Sequence, residues 1–484
     1  MLNNTTFNFN PVMAADSYKY SHPSQYPVNM SSMLDYISAR YSTMFKKICF
    51  VGLQPYLHIL SMTITKEHVT EAATYAKLHG VKFELDGWMY IVNELQGKLP
   101  IKIKAAPEGS VLPVGLPLVV VEATDTKVPW IVGWTETMLL KVTYPIGVAS
   151  KSLLIRDTLE KYGVKEWAEF ALHMFGDRAS HSIESASIAG MAHAAIFKGT
   201  DNFHSLKYVN DNYRVPEELI SVHSYSVWAS EHSTTSSNGR DNEEAWVYQQ
   251  LLNNPDQPIM SFVADTYDVF NFVHFCTDEN SRIRKLIESR PNQKLVMRPD
   301  SGDPIEVLNR ILNIMKLNKL DLVTQNKHIL FKQFGLLWSD GIDTSVIENI
   351  LNIFLTNGFA AENFVFGMGG NLVTGIVRDD IGMAMKCSNV TLKVPHASDE
   401  PSGDEVKYTY EEREVFKDPI TDPGKKSLKG KVTTYYNSDK DFYFVGRDDF
   451  AGNRHTEEVL KPIFINGLIL KRFTLEEIRE NTRK

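Results

Sequence analysis

Apolar and polar positions change rhythm four times along this chain. After a polar leader, Met1 to Asn10, comes a hydroxyl- and aromatic-rich turn or helix start at Asp16 to His22. Tyr36 to Arg40 then reads as a strand, and Gly52 to Leu60, His68 to Leu78 and Trp88 to Leu95 carry helical spacing. From Leu99 to Ala123 apolar and polar residues alternate and are broken at Pro107-Glu108-Gly109 and Pro113-Val114-Gly115, which is antiparallel strand and turn chemistry. Trp130 to Val142 and Ser150 to Tyr162 return to helical periodicity.

From about Glu169 the pattern becomes a repeated unit of apolar run, polar tip and helix-like segment. The runs ending at Phe175, Phe197, Trp228, Ala264, Met297, Leu337, Phe366 and Met385 each have their polar residues on the downstream side. About eight such units predict parallel strands closed into an α/β barrel, whose carboxyl ends share one site. A doubly wound open sheet competes, but it would decorate only the loops beside a switch point. Beyond Asn389 the unit stops. Thr391 to Tyr410 has a polar centre, Pro395 to Asp404, that reads as an exposed loop between strands. Val432 to Tyr436 and Phe442 to Val445 read as strands, and a capping box at Thr474 and Glu477 opens a final helix. These late strands need a sheet, and the strands near residues 100 to 123 offer one. The expected division is an arm at 1–30, a discontinuous α+β domain at 31–165 plus 389–484, and a barrel at 166–388.

Composition narrows the function. At 484 residues the chain exceeds one ordinary core, and 43% hydrophobic residues make it globular. A formal net charge of −8 argues against a broad nucleic-acid surface and for small-molecule partners. Lys425, Lys426, Lys429 and Lys431 form only a local basic cluster. Cys49, Cys276 and Cys387 lack metal-ligand spacing and fit free thiols in a reducing compartment. The leader does not resemble a signal peptide and no run stands out as a membrane span, so a cytoplasmic protein is expected.

The densest chemistry lies in Met297-Arg298-Pro299-Asp300-Ser301-Gly302-Asp303-Pro304, between a strand's carboxyl end and a helix's amino end. Arg298 suits a phosphate, and Asp300 and Asp303 suit sugar hydroxyls or hydrated magnesium. An ordinary βα turn would carry the same Asp, Gly and Pro residues. His232 follows Glu231 at another tip and suits a base, a nucleophile, a phosphate contact or a hydrogen-bonded structural histidine. Arg178, Arg298 and Arg378 supply cations near these tips, and Asp201, Asp265, Asp300 and Asp340 supply carboxylates. Gly367-Met368-Gly369-Gly370 is either an anion-binding turn or a tight turn. No Walker A loop, Rossmann fingerprint, H-E-x-x-H zinc motif or nucleophile elbow occurs. The residues themselves thus point to a barrel enzyme acting on a phosphorylated sugar, with carboxylates suited to its hydroxyls or to hydrated magnesium.

Six separated motifs, in order over nearly the whole chain, go further: Asp16-Ser17-Tyr18-Lys19, Phe175-Gly176-Asp177-Arg178, Phe197-Lys198-Gly199-Thr200-Asp201, Glu231-His232-Ser233-Thr234, Arg298-Pro299-Asp300-Ser301-Gly302 and Phe416-Lys417-Asp418-Pro419. With these the sequence resembles the nicotinamide phosphoribosyltransferases, of the type II phosphoribosyltransferase family. The resemblance implies an irregular α/β barrel with a second discontinuous domain, and a head-to-tail homodimer that completes two active sites. It also implies synthesis of nicotinamide mononucleotide and pyrophosphate from nicotinamide and 5-phosphoribosyl 1-pyrophosphate (PRPP).

By the same resemblance, Phe175 and the partner subunit's Tyr18 stack on the pyridine ring, and Asp201 accepts the carboxamide N–H. Arg298 and the turn at Gly369 and Gly370 hold the ribose phosphate, Asp300 and Asp340 bind ribose hydroxyls, and Arg178, Arg378, Arg40, Lys386 and Lys417 surround the phosphates. Asp16, Ser226, Ala229, Ser261, Ser339 and Lys425 complete the expected substrate-binding set. Mg2+ is expected to be bridged mainly by pyrophosphate. ATP is the expected co-substrate, phosphorylating His232, with Asp265 orienting its ring. Trp228, Ser230, Ser339, Met368, Asn371 and Gly375 depart from the family pattern, and 389–414 is longer than its usual connection. A nicotinate phosphoribosyltransferase and a dimeric binding or signalling scaffold with little turnover are the alternatives.

Overall fold

The structure is a computed structural model that describes residues 9–484 except 216, 219, 321, 326–327, 396–406, 423–424, 448–449, 451 and 453. It contains two compact units. One comprises Met1–Ser150, Asn212–Val215 and Val377–Lys484, the other Lys151–Asp211 and Pro216–Ile376. Both divisions fall earlier in the chain than the expected 165/166 and 388/389.

The first unit is built on a seven-stranded antiparallel sheet in the order Tyr408–Glu414, Met383–Pro395, Met30–Ala39, Pro117–Ala123, Ile101–Ala105, Lys461–Ile465, Leu468–Ile469. Ile101–Ala105 alternates buried and half-buried residues, whereas Met30–Ala39 is buried almost throughout, as expected for a strand covered on both faces. Lys461 pairs with Ala105, and Met383 with Ala39, so distant parts of the chain complete one sheet.

Two expectations are corrected here. Met383–Met385 is not an eighth barrel strand. It begins Met383–Pro395, which has no helix after it to carry a parallel crossover and pairs antiparallel on both sides. Val432–Asn437 and Phe442–Arg447 form a separate three-stranded sheet with Thr456–Glu458 rather than extending the strands at 100 to 123. The loop expected at Pro395 to Asp404 is flanked by strands, Met383–Pro395 pairing with Tyr408–Glu414, and residues 396–404 lie outside the described residues. One further stretch was not singled out above: Glu136–Leu159 is long and apolar enough to cross a membrane, yet 72% of its apolar 18-residue window is buried, as in a core helix.

The second unit is a curled parallel sheet with helices between its strands: β1 (Leu172–Met174), β2 (Gly199–Thr200), β3 (Trp228–Ala229), β4 (Ile259–Val263), β5 (Lys294–Arg298), β6 (Phe334–Trp338) and β7 (Phe364–Met368). Its order is β2-β1-β7-β6-β5-β4-β3. Tyr225, just before β3, makes a parallel bridge to Gly199 of β2, which links the two edges into an irregular barrel. The single apolar run expected at 329–337 is two elements. His328–Phe331 pairs antiparallel with Leu322–Gln325, and the buried Gln333 separates it from β6 by donating to Arg290 O at 2.7 Å.

Helix starts on this unit are written in side chains. Asp303 accepts from Ile305 and Glu306 N–H at 2.9 Å to open Pro304–Leu317, and Asp268, Ser182 and Asp343 cap the helices that follow them. Pro304–Leu317 buries Leu308, Ile311, Leu312 and Met315, spaced for one helical face. At roughly 1.5–3 kcal/mol each, those four side chains contribute a gross ~6–12 kcal/mol before chain entropy is subtracted. Because all seven strands run parallel, their carboxyl ends gather at one end of the barrel.

Candidate active site

A cavity of about 710 Å³ opens at that end, and every residue lining it belongs to the second unit. One wall carries Phe175 and Asp201. Phe175 follows β1, and its ring lies over Gly367 of β7, where a methyl group would come within 2.2 Å of Cε2. Only a glycine at 367 leaves the ring that place. Asp201 follows β2 and shares its Oδ1 between His173 Nε2, at 2.8 Å, and the Ser226 hydroxyl. Burial alone would raise the Asp201 pKa. The His173 and Ser226 hydrogen bonds and the Arg298 charge outweigh it and hold the carboxyl below its usual value. The group is therefore an ionised acceptor at neutral pH.

Across the cavity Arg298, at the end of β5, donates from Nη2 to Ser230 O at 2.8 Å, which fixes the guanidinium plane. Its Nε is buried with no acceptor among the described residues, a donor that an anion would satisfy. Asp300 accepts from Ser339 Oγ at 2.6 Å, so the serine that departs from the family pattern orients this carboxylate. Asp340, Gly369, Gly370, Ala229 and Arg178 line the same space. Asp303 does not. Its carboxylate caps a helix, and the suggestion that it holds sugar or magnesium is withdrawn.

His232 opens the short helix His232–Ser236 and is 53% exposed. Its Nδ1 lies 3.2 Å from Thr266 Oγ1 and its Nε2 3.7 Å from Asp265 Oδ1, the latter an ion-pair rather than a hydrogen-bond distance. Asp265 is buried beside the ring at 6% exposure. Two departures find packing or bonding roles nearby. Trp228 packs on Phe262 at 5.0 Å. Ser230 accepts from Val263 N–H through its hydroxyl and donates its own N–H to Ser261 O. Ser261 itself is buried beneath the site and does not line the cavity.

The other expected residues lie on the first unit. Asp16 accepts from Thr137 Oγ1 at 2.8 Å, and Tyr18 is 55% exposed. Arg40 Nε donates to Gly382 O, Lys386 Nζ donates to Met385 O, and burial pulls the Lys386 pKa down. Arg378 pairs with Asp379, Lys425 pairs with Asp422, and the Lys417 N–H donates to Ser427 Oγ.

His173 was missed. It sat in an apolar run, but its spacing of two residues from Phe175, just past β1, puts the two rings on one side of the extended chain with centroids 4.9 Å apart, and that period was the available signal. Thr266 lay in a recognised polar tip without a role. Its contact with His232 joins the loops after β3 and β4, which no local pattern encodes.

Comparison with known proteins agrees with this architecture. Residues 170–467 match the nicotinate phosphoribosyltransferase (NAPRTase) family, and residues 10–103 match the nicotinamide phosphoribosyltransferase N-terminal domain. The nicotinamide phosphoribosyltransferase of Xanthomonas campestris pv. campestris is 32% identical over 97% of both chains. That of Acinetobacter baylyi is 27% identical over 98% of this chain and 97% of its own. Among solved structures, a nicotinate-nucleotide pyrophosphorylase from Pyrococcus furiosus superposes with a TM-score of 0.63 at 16% identity, covering 100% of this chain and 97% of its own. Human nicotinic acid phosphoribosyltransferase gives 0.51 at 12% identity over 97% and 92%. These two likenesses concern the fold.

Barrel, cavity and sequence relationship together define a type II phosphoribosyltransferase, a pentosyl-transferring enzyme. The chain belongs to the nicotinate phosphoribosyltransferase family and falls among its nicotinamide phosphoribosyltransferases.

Proposed function

We propose that this enzyme joins nicotinamide to PRPP, releasing nicotinamide mononucleotide and pyrophosphate in NAD salvage, and that ATP stimulates the reaction through phosphorylation of His232. The observation that carries the choice of base is Asp201. Its carboxylate is held ionised beside Phe175, with one oxygen engaged by His173 and Ser226. The other oxygen is then an acceptor for a carboxamide N–H and a repulsive neighbour for a carboxylate. Phe175 supplies one stacking face for the pyridine ring, and Arg298 with the glycine turn supplies donors for the ribose phosphate.

Loss of pyrophosphate leaves cationic character on the sugar, so the site must steady a leaving anion and aim a neutral, weak nucleophile. Asp300, fixed by Ser339, and Asp340 suit the ribose hydroxyls. Among the described residues no three His, Cys, Asp or Glu side chains converge on one point, so Mg2+ would take most of its ligands from pyrophosphate and water. When bound, it neutralises charge on the leaving group. Support for the ATP role is the exposed His232 ring between Thr266 and the buried Asp265. We further propose a cytoplasmic homodimer in which Tyr18 of the partner subunit covers the pyridine ring.

The test is product formation from nicotinamide, PRPP and Mg2+, with and without ATP and with nicotinate run in parallel, in the intact enzyme and in His232→Ala. Nicotinamide mononucleotide from the intact enzyme, with ATP stimulation lost in the variant, is the expected result. Preferred use of nicotinate would overturn the Asp201 reading, and equal ATP stimulation in both proteins would overturn the phosphohistidine.

A further inference from the structure

Lys151 is one of the few lysines buried in this enzyme, at 7% exposure, and no ion pair engages it among the described residues. Its Nζ donates instead to two oxygens of one residue, Asn371 O at 2.7 Å and Asn371 Oδ1 at 2.9 Å. Asn371 follows Gly370 in the turn that lines the cavity, and its own Nδ2 donates to Ile342 O at 3.0 Å. Ile342 closes the loop after β6, which carries Ser339 and Asp340. One buried ammonium therefore holds a residue that ties together the two loops expected to grip the ribose phosphate and the ribose hydroxyls.

Space around this contact is kept clear by Gly375. A methyl group there would lie 2.7 Å from Asn371 O, 3.2 Å from Asn371 Oδ1 and 3.5 Å from Lys151 Nζ, against both acceptors and the donor at once. Burial lowers the Lys151 pKa, and the nearby Asp343, which caps the helix Thr344–Thr356, opposes that shift. The base-binding wall has separate supports, His173 and Ser226 for Asp201 and Gly367 for Phe175.

We propose that Lys151 is a positioning residue for the phosphoribosyl half of the cavity: through Asn371 it sets the Gly369–Gly370 turn against the Ser339–Ile342 loop. It touches no substrate. Its removal loosens the grip on PRPP while leaving the grip on the base intact. The inference rests on the assignment of these two loops to PRPP made above.

The test compares the intact enzyme with Lys151→Met, which keeps the buried stem without its donors, and with Asn371→Gly, an exposed change that removes the side-chain link to both neighbours. PRPP binding is measured by calorimetry, and KM for PRPP and for nicotinamide by turnover. Lys151→Met should weaken PRPP binding and raise its KM about 10- to 100-fold, with KM for nicotinamide within about threefold. Asn371→Gly should show the same split at smaller size, which guards against a Lys151 variant that folds poorly. Intact enzyme that binds PRPP tightly, with affinity unchanged in both variants or with both KM values moved together, overturns the role of Lys151. Intact enzyme that fails to bind PRPP overturns instead the assignment of the cavity.

Discussion

Replacing Asp201 by Asn removes one charge and keeps the side chain's size, so it isolates the electrostatic part of base selection. Nicotinate would bring a carboxylate to about 4 Å from Asp201. At an effective dielectric of about 20 that repulsion costs roughly 4 kcal/mol. The Asp201 side chain is 41% exposed before substrate enters, and solvent screening at about twice that dielectric halves the cost to roughly 2 kcal/mol. The two limits correspond to about 30-fold and about 1,000-fold in discrimination. Asp201→Asn should therefore lower the ratio of kcat/KM for nicotinamide over nicotinate by at least about 30-fold, chiefly through a gain for nicotinate. Because the Asp201 pKa is held below the usual carboxylate value, the intact enzyme's ratio should be flat from pH 6 to 9. Initial rates with each base at saturating PRPP measure both. A ratio unchanged in the variant, or one that collapses between pH 6 and 9 in the intact enzyme, would refute the reasoning.

Three further outcomes follow from the geometry. Gly367→Ala pushes a methyl into the Phe175 ring and should raise KM for the base several-fold, at about 1–3 kcal/mol of stability, measured by kinetics and denaturant unfolding; an unmoved KM would count against stacking on Phe175. Arg298→Lys loses the planar fork held by Ser230 O and should raise KM for PRPP roughly 10- to 100-fold, whereas an effect on the base alone would misplace the phosphate. Asp35, buried in the strand Met30–Ala39, has its pKa pushed up to about 7, first by burial, with a hydrogen bond to Cys387 opposing. Since the folded value lies above the unfolded one, the stability tied to Asp35 is present below about pH 4 and is lost as pH rises through 7, about 4 kcal/mol in all. Asp35→Asn should remove that slope, and parallel pH dependence of unfolding in the two proteins would rule the effect out.

How much of this was legible beforehand depends on the range of the interaction. Pro304–Leu317 could be read directly, because an N-cap, an N1 proline and an apolar face are encoded within one helix. Arg298, Asp300, Asp340 and the glycine turn were placed at one barrel mouth by the direction of their strands alone, and all of them line the cavity. Met383–Met385 was misassigned because an apolar run looks alike in a parallel barrel strand and in a long antiparallel one; the difference lies in its partner, Met30–Ala39, more than 300 residues away. The Asp303 carboxylate similarly served sugar or cap equally well until the helix N–H groups claimed it.

Sequence by itself determined the local devices and, through six ordered motifs, the family. Tertiary structure decided how those residues support one another: His173 and Ser226 on Asp201, Ser339 on Asp300, Ser230 on Arg298, Lys151 on Asn371. Each of these contacts joins separate strands, loops or helices, and its strength depends on a distance of about 3 Å and on burial. Spacing along the chain carries neither quantity; both arise only when the barrel closes.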